Sequence, residues 1–161
     1  MIRILTVLTI FVAVSARSCW AGAPETAKTS ETYLAAYERL DLGTLASLYS
    51  EEAVFTDPTS YDQPGIAEPF TFKGKAQVLA GLKSFQTQYG LSRLKYEVTQ
   101  QFASPNQVVF IGSVTSVVKG PKGERAARYP VVTIITVTGG LVSEHRDYVD
   151  YPGGKPVKVP E

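Results

Sequence analysis

The last hydrophobic segment of the chain, residues 141–151, contains the only histidine, His145, and an aspartate two positions later, Asp147. Side chains alternate between the two faces of a β-strand, so His145 and Asp147 point the same way, whereas Arg146 and Tyr148 point to the opposite face. A carboxylate close to an imidazole stabilises the protonated ring, and such a pair can exchange protons near neutral pH. The spacing therefore predicts an acid–base pair on one strand face, with a purely structural pair as the alternative.

A second candidate for proton chemistry, Asp57, follows the apolar segment from Ala53 to Thr56 and precedes Pro58. A carboxylate held against apolar walls can have a raised pKa and can take a proton from carbon. An aspartate before a proline is also a common start of a turn. Both catalysis and turn formation are therefore open for Asp57.

The composition excludes several other chemistries. One histidine and one cysteine cannot form the usual zinc sites, and the carboxylates are not spaced as calcium ligands. The sequence has neither a glycine-rich phosphate loop nor a nucleophile elbow. Its basic residues are scattered, with the densest group between Lys119 and Arg128 beside turn-forming glycines. We expect no metal, no cofactor and no nucleic-acid partner.

The first 23 residues have the pattern of a secretory signal peptide. Arg3 precedes a mostly apolar stretch, residues 4–14, and the small residues 21–23 offer a cleavage site. The stretch is too short to span a bilayer. This pattern predicts a secreted or periplasmic protein without membrane attachment after cleavage. Lipidation at Cys19 is the alternative, although polar residues precede it where small apolar ones are preferred.

Cleavage after Ala23 would change both the thiol content and the charge of the chain. It removes Cys19, the only cysteine, so no disulfide is expected in the mature protein. It also removes Arg3 and Arg17, which takes the basic count from 16 to 14 against 15 acidic residues. The mature chain is therefore expected to carry a net charge near −1.

The first half of the mature chain has the apolar periodicity of helices. Thr29 or Ser30 is predicted to cap the first helix, and Lys75 lies at the start of the third. The loop from Pro58 to Phe72 is too rich in proline and glycine to predict regular structure. The apolar stripes are Leu34, Tyr37 and Leu40, then Leu45, Leu48 and Tyr49, then Val78, Leu79, Leu82 and Phe85.

The second half has the alternation of strands. Residues 94–102 alternate apolar and polar side chains, which predicts one covered and one solvated face, whereas residues 108–118 and 129–137 are apolar on both faces. Short turn-forming segments between them predict antiparallel neighbours in a meander. Proline and glycine are expected to keep the tail, residues 152–161, irregular. Helices followed by such a sheet predict an α+β fold.

Four ordered segments resemble the nuclear transport factor 2-like superfamily, in particular its SnoaL-like branch. They are Tyr33–Asp41, Leu48–Pro58, Phe72–Ala76 and Gly140–Asp150. The resemblance covers residues 24–151 as one domain. It implies a cone in which a curved antiparallel sheet wraps about three N-terminal helices around an apolar pocket, usually as a homodimer. It does not imply one activity, because this fold hosts many functions.

Resemblance to ketosteroid isomerase gives Asp57 and Tyr33 possible roles. It implies that Asp57 is the general base and that Tyr33, on the first helix, donates to an oxyanion. That family also uses a protonated aspartate on a late strand, whereas residues 131–137 contain no carboxylate. The set of catalytic groups is incomplete in this sequence.

Resemblance to limonene epoxide hydrolase concerns Asp147. Its strand is similar to the terminal strand motif of that family, and Tyr61-Asp62-Gln63 resembles the residues that hold the attacking water. The family needs an arginine and an aspartate two apart on the middle strand, whereas residues 112–118 carry no charge. Epoxide hydrolysis by that mechanism is therefore not predicted.

Aromatic residues of the helices and the long loop suit a pocket for a small apolar molecule with one polar end. The enzymatic prediction is cofactor-free acid–base chemistry by Asp147, His145, Asp57 and Tyr33 in a pocket lined by Tyr37, Phe55, Tyr61 and Phe85. The alternatives are a non-catalytic ligand-binding domain and a protein-interaction domain of the cell envelope. Catalysis requires that His145, Asp147 and Asp57 converge on one enclosed cavity.

Overall fold

The computed structural model describes residues 23–160 as three helices and seven strands. The predicted signal peptide and Cys19 lie outside the described residues, apart from Ala23, which begins the first helix. Among residues 23–160, no helix has the length and apolar character needed to cross a bilayer. The helices are α1 (Ala23–Glu38), α2 (Leu42–Leu48) and α3 (Lys75–Gln88). The strands are β1 (Tyr49–Asp57), β2 (Phe70–Lys73), β3 (Leu91–Ala103), β4 (Gln107–Gly120), β5 (Gly123–Thr138), β6 (Leu141–Val149) and β7 (Lys155–Val157).

The seven strands form one curved sheet in the order β2-β1-β6-β5-β4-β3, with β7 paired to β5. The predicted α+β layout and the antiparallel meander from β3 to β6 are confirmed. The sheet is mixed rather than wholly antiparallel, because β1 and β6 run parallel, with Phe55 opposite His145. The long connection between β1 and β6 passes through four other strands, so no hairpin fixes their relative direction. Because β1 and β6 run parallel, their carboxyl ends lie side by side at the same end of the sheet.

Three local predictions are wrong. Helix α1 begins at Ala23, so Thr29 and Ser30 lie inside it, and Ser30 is buried instead of capping the helix. The loop after β1 contains a 3-10 turn, Ser60–Asp62, and ends in β2. The tail contains β7, whose residues 155–157 pair with β5. In the last two cases the sheet supplies backbone partners that local proline and glycine content does not reveal.

The core lies between the concave face of the sheet and the helices. Tyr33, Leu34, Ala36 and Tyr37 of α1, Val78 and Leu82 of α3, and Val108, Phe110, Ile135, Val137 and Val142 of the sheet are buried in it. The β3–β4 register shift after Val98 reverses the faces of β3, so Gln101 points inwards and donates to Glu31 of α1, whereas Phe102, paired with Val109, lies on the outer face. Val98, on the inner face, is 42% exposed and Phe102 is 58% exposed. The predicted covered face of this strand is therefore covered only near Leu94 and Tyr96, which pack against the core.

The sheet bends where β3 crosses Gly112 of β4. The β3–β4 register shifts between Val98, which pairs with Gly112, and Gln100, which pairs with Ile111. A Cβ atom at position 112 would lie 2.0 Å from the carbonyl oxygen of Glu97. Glycine thus allows the backbones to approach closely at a bulge, and bulges of this kind bend strands and increase their twist.

Candidate functional site

A cavity of about 220 Å³ opens between α1, α3 and the concave face of the sheet. Two carboxylates, Asp57 and Asp147, lie on its wall together with Gln63 and Ser116. None of the lining residues is a lysine, an arginine or a histidine. The aromatic lining residues are Tyr37, Phe55, Phe70, Phe85, Tyr89, Tyr96, Tyr129 and Tyr151. The cavity is therefore an aromatic pocket with two acidic groups.

The two carboxylates meet because β1 and β6 are parallel. Thr56 pairs with Arg146, and the next residue along each strand is an aspartate, Asp57 on β1 and Asp147 on β6. Thr59 ties the end of β1 to β6, since its hydroxyl accepts a hydrogen bond from the backbone N–H of Val149 at 2.8 Å. The convergence of the two aspartates is thus a consequence of the topology of the sheet.

Asp147 is buried and accepts hydrogen bonds on both carboxylate oxygens. The Thr133 hydroxyl donates to Oδ1 at 2.5 Å, and the Tyr96 hydroxyl donates to Oδ2 at 3.4 Å. The Nε2 atom of His145 lies 3.0 Å from Oδ1, although the direction of its N–H does not meet hydrogen-bond geometry. We therefore treat this last contact as electrostatic. Together these contacts stabilise the negative charge of Asp147.

His145 is fully buried behind Asp147 and packs edge-on against the rings of Tyr37 and Phe55, with centroid distances of 4.7 and 4.8 Å. Its Nδ1 lies 2.6 Å from the hydroxyl of Tyr33. That hydroxyl also makes a very short contact with the hydroxyl of Tyr49. A continuous polar chain therefore runs from Tyr49 through Tyr33 and His145 to Asp147.

The hydrogen positions in this chain follow from counting donors. If Tyr49 donates to Tyr33 and Tyr33 donates to Nδ1, each hydroxyl hydrogen has an acceptor and the imidazole hydrogen lies on Nε2. In the reverse direction the buried Tyr49 hydroxyl would need another acceptor, and Tyr33 is the only partner found for it among residues 23–160. The first direction gives both tyrosine hydroxyls an acceptor and leaves the Nε2–H in electrostatic contact only, 3.0 Å from Oδ1 of Asp147. His145 is then a neutral ring whose Nε2–H faces the Asp147 carboxylate.

Asp57 is held differently from Asp147. The backbone N–H and the hydroxyl of Thr59 donate to its Oδ1 at 3.1 and 2.9 Å, and the Tyr151 hydroxyl donates to its Oδ2 at 2.5 Å. Burial raises the pKa of Asp57 above the ordinary value, the Tyr151 and Thr59 hydrogen bonds offset part of this, and the charge of Asp147 raises it further. Asp57 therefore binds a proton more readily than a solvated aspartate.

The tyrosines of the site remain protonated. Burial raises the pKa of Tyr37 and Tyr96 well above the ordinary value, and the nearby charge of Asp147 raises both further. Burial likewise raises the pKa of Tyr33 and Tyr151. These hydroxyls are therefore hydrogen-bond donors and not bases at physiological pH.

The structure places most, but not all, of the predicted site residues on the cavity wall. Asp57, Asp147, Tyr37, Phe55 and Phe85 line it. Tyr33 and His145 lie behind the wall and reach the cavity only through Asp147. Of the three residues whose convergence was required, the two aspartates line the cavity and His145 does not, since it is buried behind Asp147.

Tyr61 was expected on the cavity wall and is instead 56% exposed, since it lies in a 3-10 turn at the surface. Its neighbour Gln63 lines the cavity in its place. Sequence reasoning missed Tyr96, Tyr151 and Thr133 as partners of the aspartates. The alternation of residues 94–102 assigns Tyr96 to the covered face, but no local pattern indicates which carboxylate it contacts.

The family model of the SnoaL-like domain matches residues 30–145. A search of curated proteins finds no significant match. The fold is similar to a putative SnoaL-like polyketide cyclase from Shewanella putrefaciens, with a TM-score of 0.69, 20% identity, and coverage of 94% of this chain and 95% of that one.

Two other similar structures come from different branches of the fold. An epoxide hydrolase of the LEH-like type from M. tuberculosis has a TM-score of 0.61 at 18% identity, with 81% of this chain and 86% of that one covered. A protein with a ketosteroid isomerase-like fold from Catenulispora acidiphila, in complex with trimethylamine, has a TM-score of 0.62 at 15% identity, with 80% and 89% covered. At these identities the likeness concerns the fold.

Proposed function

The chain belongs to the SnoaL-like domain family, and on that basis we propose that it binds a small, largely apolar molecule and catalyses cofactor-free proton transfer. The observation that carries this proposal is that Asp57 and Asp147 line one aromatic cavity and are held in different ways. Pairs of acidic groups with different environments commonly divide acid and base roles between them. The similar structures described as a cyclase and as isomerase-like agree with chemistry of this kind.

Asp57 is the proposed base. Its raised pKa makes it a better proton acceptor than a solvated aspartate, and its position on the wall allows contact with a bound ligand. In the proposed step, Asp57 takes a proton from the carbon next to a carbonyl, the electron pair of that C–H bond forms a C=C bond to the carbonyl carbon, and the π pair of the carbonyl moves onto its oxygen. Return of the proton to a carbon of the same molecule completes an isomerisation or a tautomerisation.

The negative charge on the carbonyl oxygen needs donors. Tyr37 lines the cavity and remains protonated, so its hydroxyl can donate to that oxygen, whereas the Tyr96 hydroxyl already donates its one hydrogen to Asp147. Asp147 is the positioning group in this scheme, because it accepts from Tyr96 and is backed by His145. An epoxide-hydrolase reaction finds no support, since the lining residues of β4 are Val114, Ser116 and Val118 and supply no charged pair.

Deuterium exchange tests the proposal without knowledge of the natural substrate. Small cyclic ketones such as 2-tetralone are incubated with the mature protein in D2O, and mass spectrometry follows deuterium uptake next to the carbonyl. We expect exchange above the buffer rate and a loss of about 100-fold or more in Asp57→Asn. Asp62→Asn is the matched control, because Asp62 is exposed and does not line the cavity. Equal rates in Asp57→Asn and the parent would contradict the assignment of the base.

One observation favours a second function, ligand binding without catalysis. Three hydrogen bonds from Thr59 and Tyr151 already occupy Asp57, and a carboxylate has about four acceptor positions. A base with one remaining position is restricted in the directions from which it can take a proton. Retained ligand binding with no exchange for any ketone would favour this second function.

We further propose that the mature protein acts outside the cytoplasm as a homodimer. The apolar run and the small residues within the first 23 positions support export. Phe102 is exposed on the outer face of the sheet, where it pairs with Val109 and Val109 pairs with Ile134, so these half-buried neighbours extend an apolar surface for a second copy. N-terminal sequencing of the exported protein and light scattering of the purified chain test these two statements separately.

A further inference from the structure

We propose that the ligand of the cavity is a cation, namely an organic ammonium group attached to an apolar or aromatic body. This inference names a ligand class for the site of the proposed function. It rests on that function only for ligand binding in the cavity and not for catalysis. It stands on the charge of the cavity wall, on the aromatic rings around it and on the polar chain behind Asp147.

The cavity wall carries two acidic groups and no basic one. Asp57 and Asp147 both line it, and every other lining side chain is uncharged at neutral pH. The titratable groups that face the two aspartates are His145 and the tyrosines, and hydrogen-bond counting makes His145 neutral. Two buried carboxylates in one cavity repel each other and are poorly solvated, so a bound positive charge is the partner that this site lacks.

The same wall excludes an anionic ligand and disfavours a neutral one. An anion would meet two negative charges with no lysine or arginine on the wall to offset them. A neutral apolar ligand would displace water from both carboxylates and offer no charge in return. A cation is the ligand whose binding compensates the desolvation of Asp57 and Asp147.

Aromatic rings complete the recognition of an ammonium group. Eight aromatic residues line the cavity, and among them the ring centroids of Tyr37 and Phe55 lie 6.2 Å apart and those of Tyr37 and Tyr96 lie 6.3 Å apart. The faces of such rings attract cations, and cages of aromatic rings bind quaternary ammonium groups. The remaining phenylalanine rings provide apolar contact for the body of the ligand.

The experiment compares two probes of the same shape that differ in charge. Benzyltrimethylammonium is the cation and (2,2-dimethylpropyl)benzene is its neutral counterpart, with phenylacetate as an anionic probe. Binding to the mature chain is followed by NMR saturation transfer and by tyrosine fluorescence. We expect the cation to bind at least about tenfold tighter than the neutral probe. No binding of the anion is expected.

Variants show which carboxylates are responsible. Asp57→Asn and Asp147→Asn should each weaken binding of the cation by about tenfold, while the neutral probe should bind equally well or more tightly, because an amide costs less to desolvate than a carboxylate. Asp62→Asn should change neither affinity. Equal or tighter binding of the neutral probe, or no binding of the cation, overturns the proposal using the parent protein alone, so it does not depend on the variants being folded. Cation binding without deuterium exchange supports the inference while contradicting the proposed catalysis, which separates the two.

Discussion

The Nε2 atom of His145 lies 3.0 Å from Oδ1 of Asp147, two residues further along the same strand. The imidazole is inside the core and the carboxylate is at the cavity wall. The chain's only histidine is therefore a support for a cavity carboxylate and does not touch a ligand itself. Its other ring nitrogen is fixed by Tyr33, so the state of His145 can be tested through that hydroxyl.

The first prediction concerns the tautomer of His145. We expect ¹⁵N NMR at about pH 8, where a free histidine is also neutral, to show one tautomer with its hydrogen on Nε2. The reason is that the Tyr33 hydroxyl donates to Nδ1. Tyr33→Phe removes that donor and should release the ring to a mixture of tautomers. A single tautomer with the hydrogen on Nδ1 would contradict the direction of the polar chain.

The second prediction concerns the stability contributed by the buried hydroxyl pair. Tyr33→Phe leaves the Tyr49 hydroxyl and Nδ1 of His145 without their partner, so we expect a loss of about 1–3 kcal/mol in the free energy of unfolding. Urea denaturation measures it. The double variant with Tyr49→Phe should cost less than the sum of the two single changes, because it removes both members of one contact. Tyr61→Phe, at an exposed position, should have an effect within about 0.5 kcal/mol.

The third prediction concerns the bend in the sheet. Gly112→Ala should destabilise the protein by about 2 kcal/mol or more, because its Cβ would lie 2.0 Å from the Glu97 carbonyl oxygen and the backbone must shift. Gly43→Ala is the matched control. Its Cβ would meet its nearest neighbour at 3.6 Å within α2, so we expect unchanged or slightly higher stability. Equal thermal unfolding of the two variants would show that position 112 tolerates a side chain.

The sequence was sufficient to predict the architecture and the faces of the last strand. Alternation predicts that His145 and Asp147 share one face of the strand and that Tyr148 lies on the other, and β6 is built this way, with the first two buried and Tyr148 exposed. Which face points to the pocket was implied by the family resemblance and not by alternation. The local periodicity of apolar residues cannot predict the pairing of β1 with β6. That pairing depends on which strand of the meander from β3 to β6 is left with an unpaired edge. Asp57 and Asp147 line the same cavity because of that pairing, so the sequence alone could not predict that they lie close together.

The hydrogen-bond partners of the two aspartates could not be predicted from the sequence either, because they too depend on long-range pairing in the sheet. Tyr151 ends the segment predicted as the last strand but lies two residues beyond β6, and its hydroxyl lies 2.5 Å from Oδ2 of Asp57. The two residues are 94 positions apart. Such a contact is fixed by the curvature of the sheet and by the return of the tail onto β5 through β7. Neither has a signature in a single sequence.

The fourth prediction concerns the pH dependence that Asp57 gives to stability. Its pKa is raised in the folded state, mainly by burial, relative to the value near 4 in an unfolded chain. The folded protein therefore holds this proton more tightly than the unfolded chain does. The stability from Asp57 is fully present below about pH 4 and is lost as the pH rises through the raised folded pKa.

Asp57→Asn isolates this contribution, because the amide does not titrate. The free energy of unfolding of the parent minus that of Asp57→Asn should fall as the pH rises above about 4 and become constant above the folded pKa. Urea denaturation of both proteins at a series of pH values measures the difference, and Asp62→Asn should show no such slope, because Asp62 is exposed. A difference that grows with pH would mean that the hydrogen bonds from Tyr151 and Thr59 outweigh burial, and the assignment of Asp57 as the better proton acceptor would then fail.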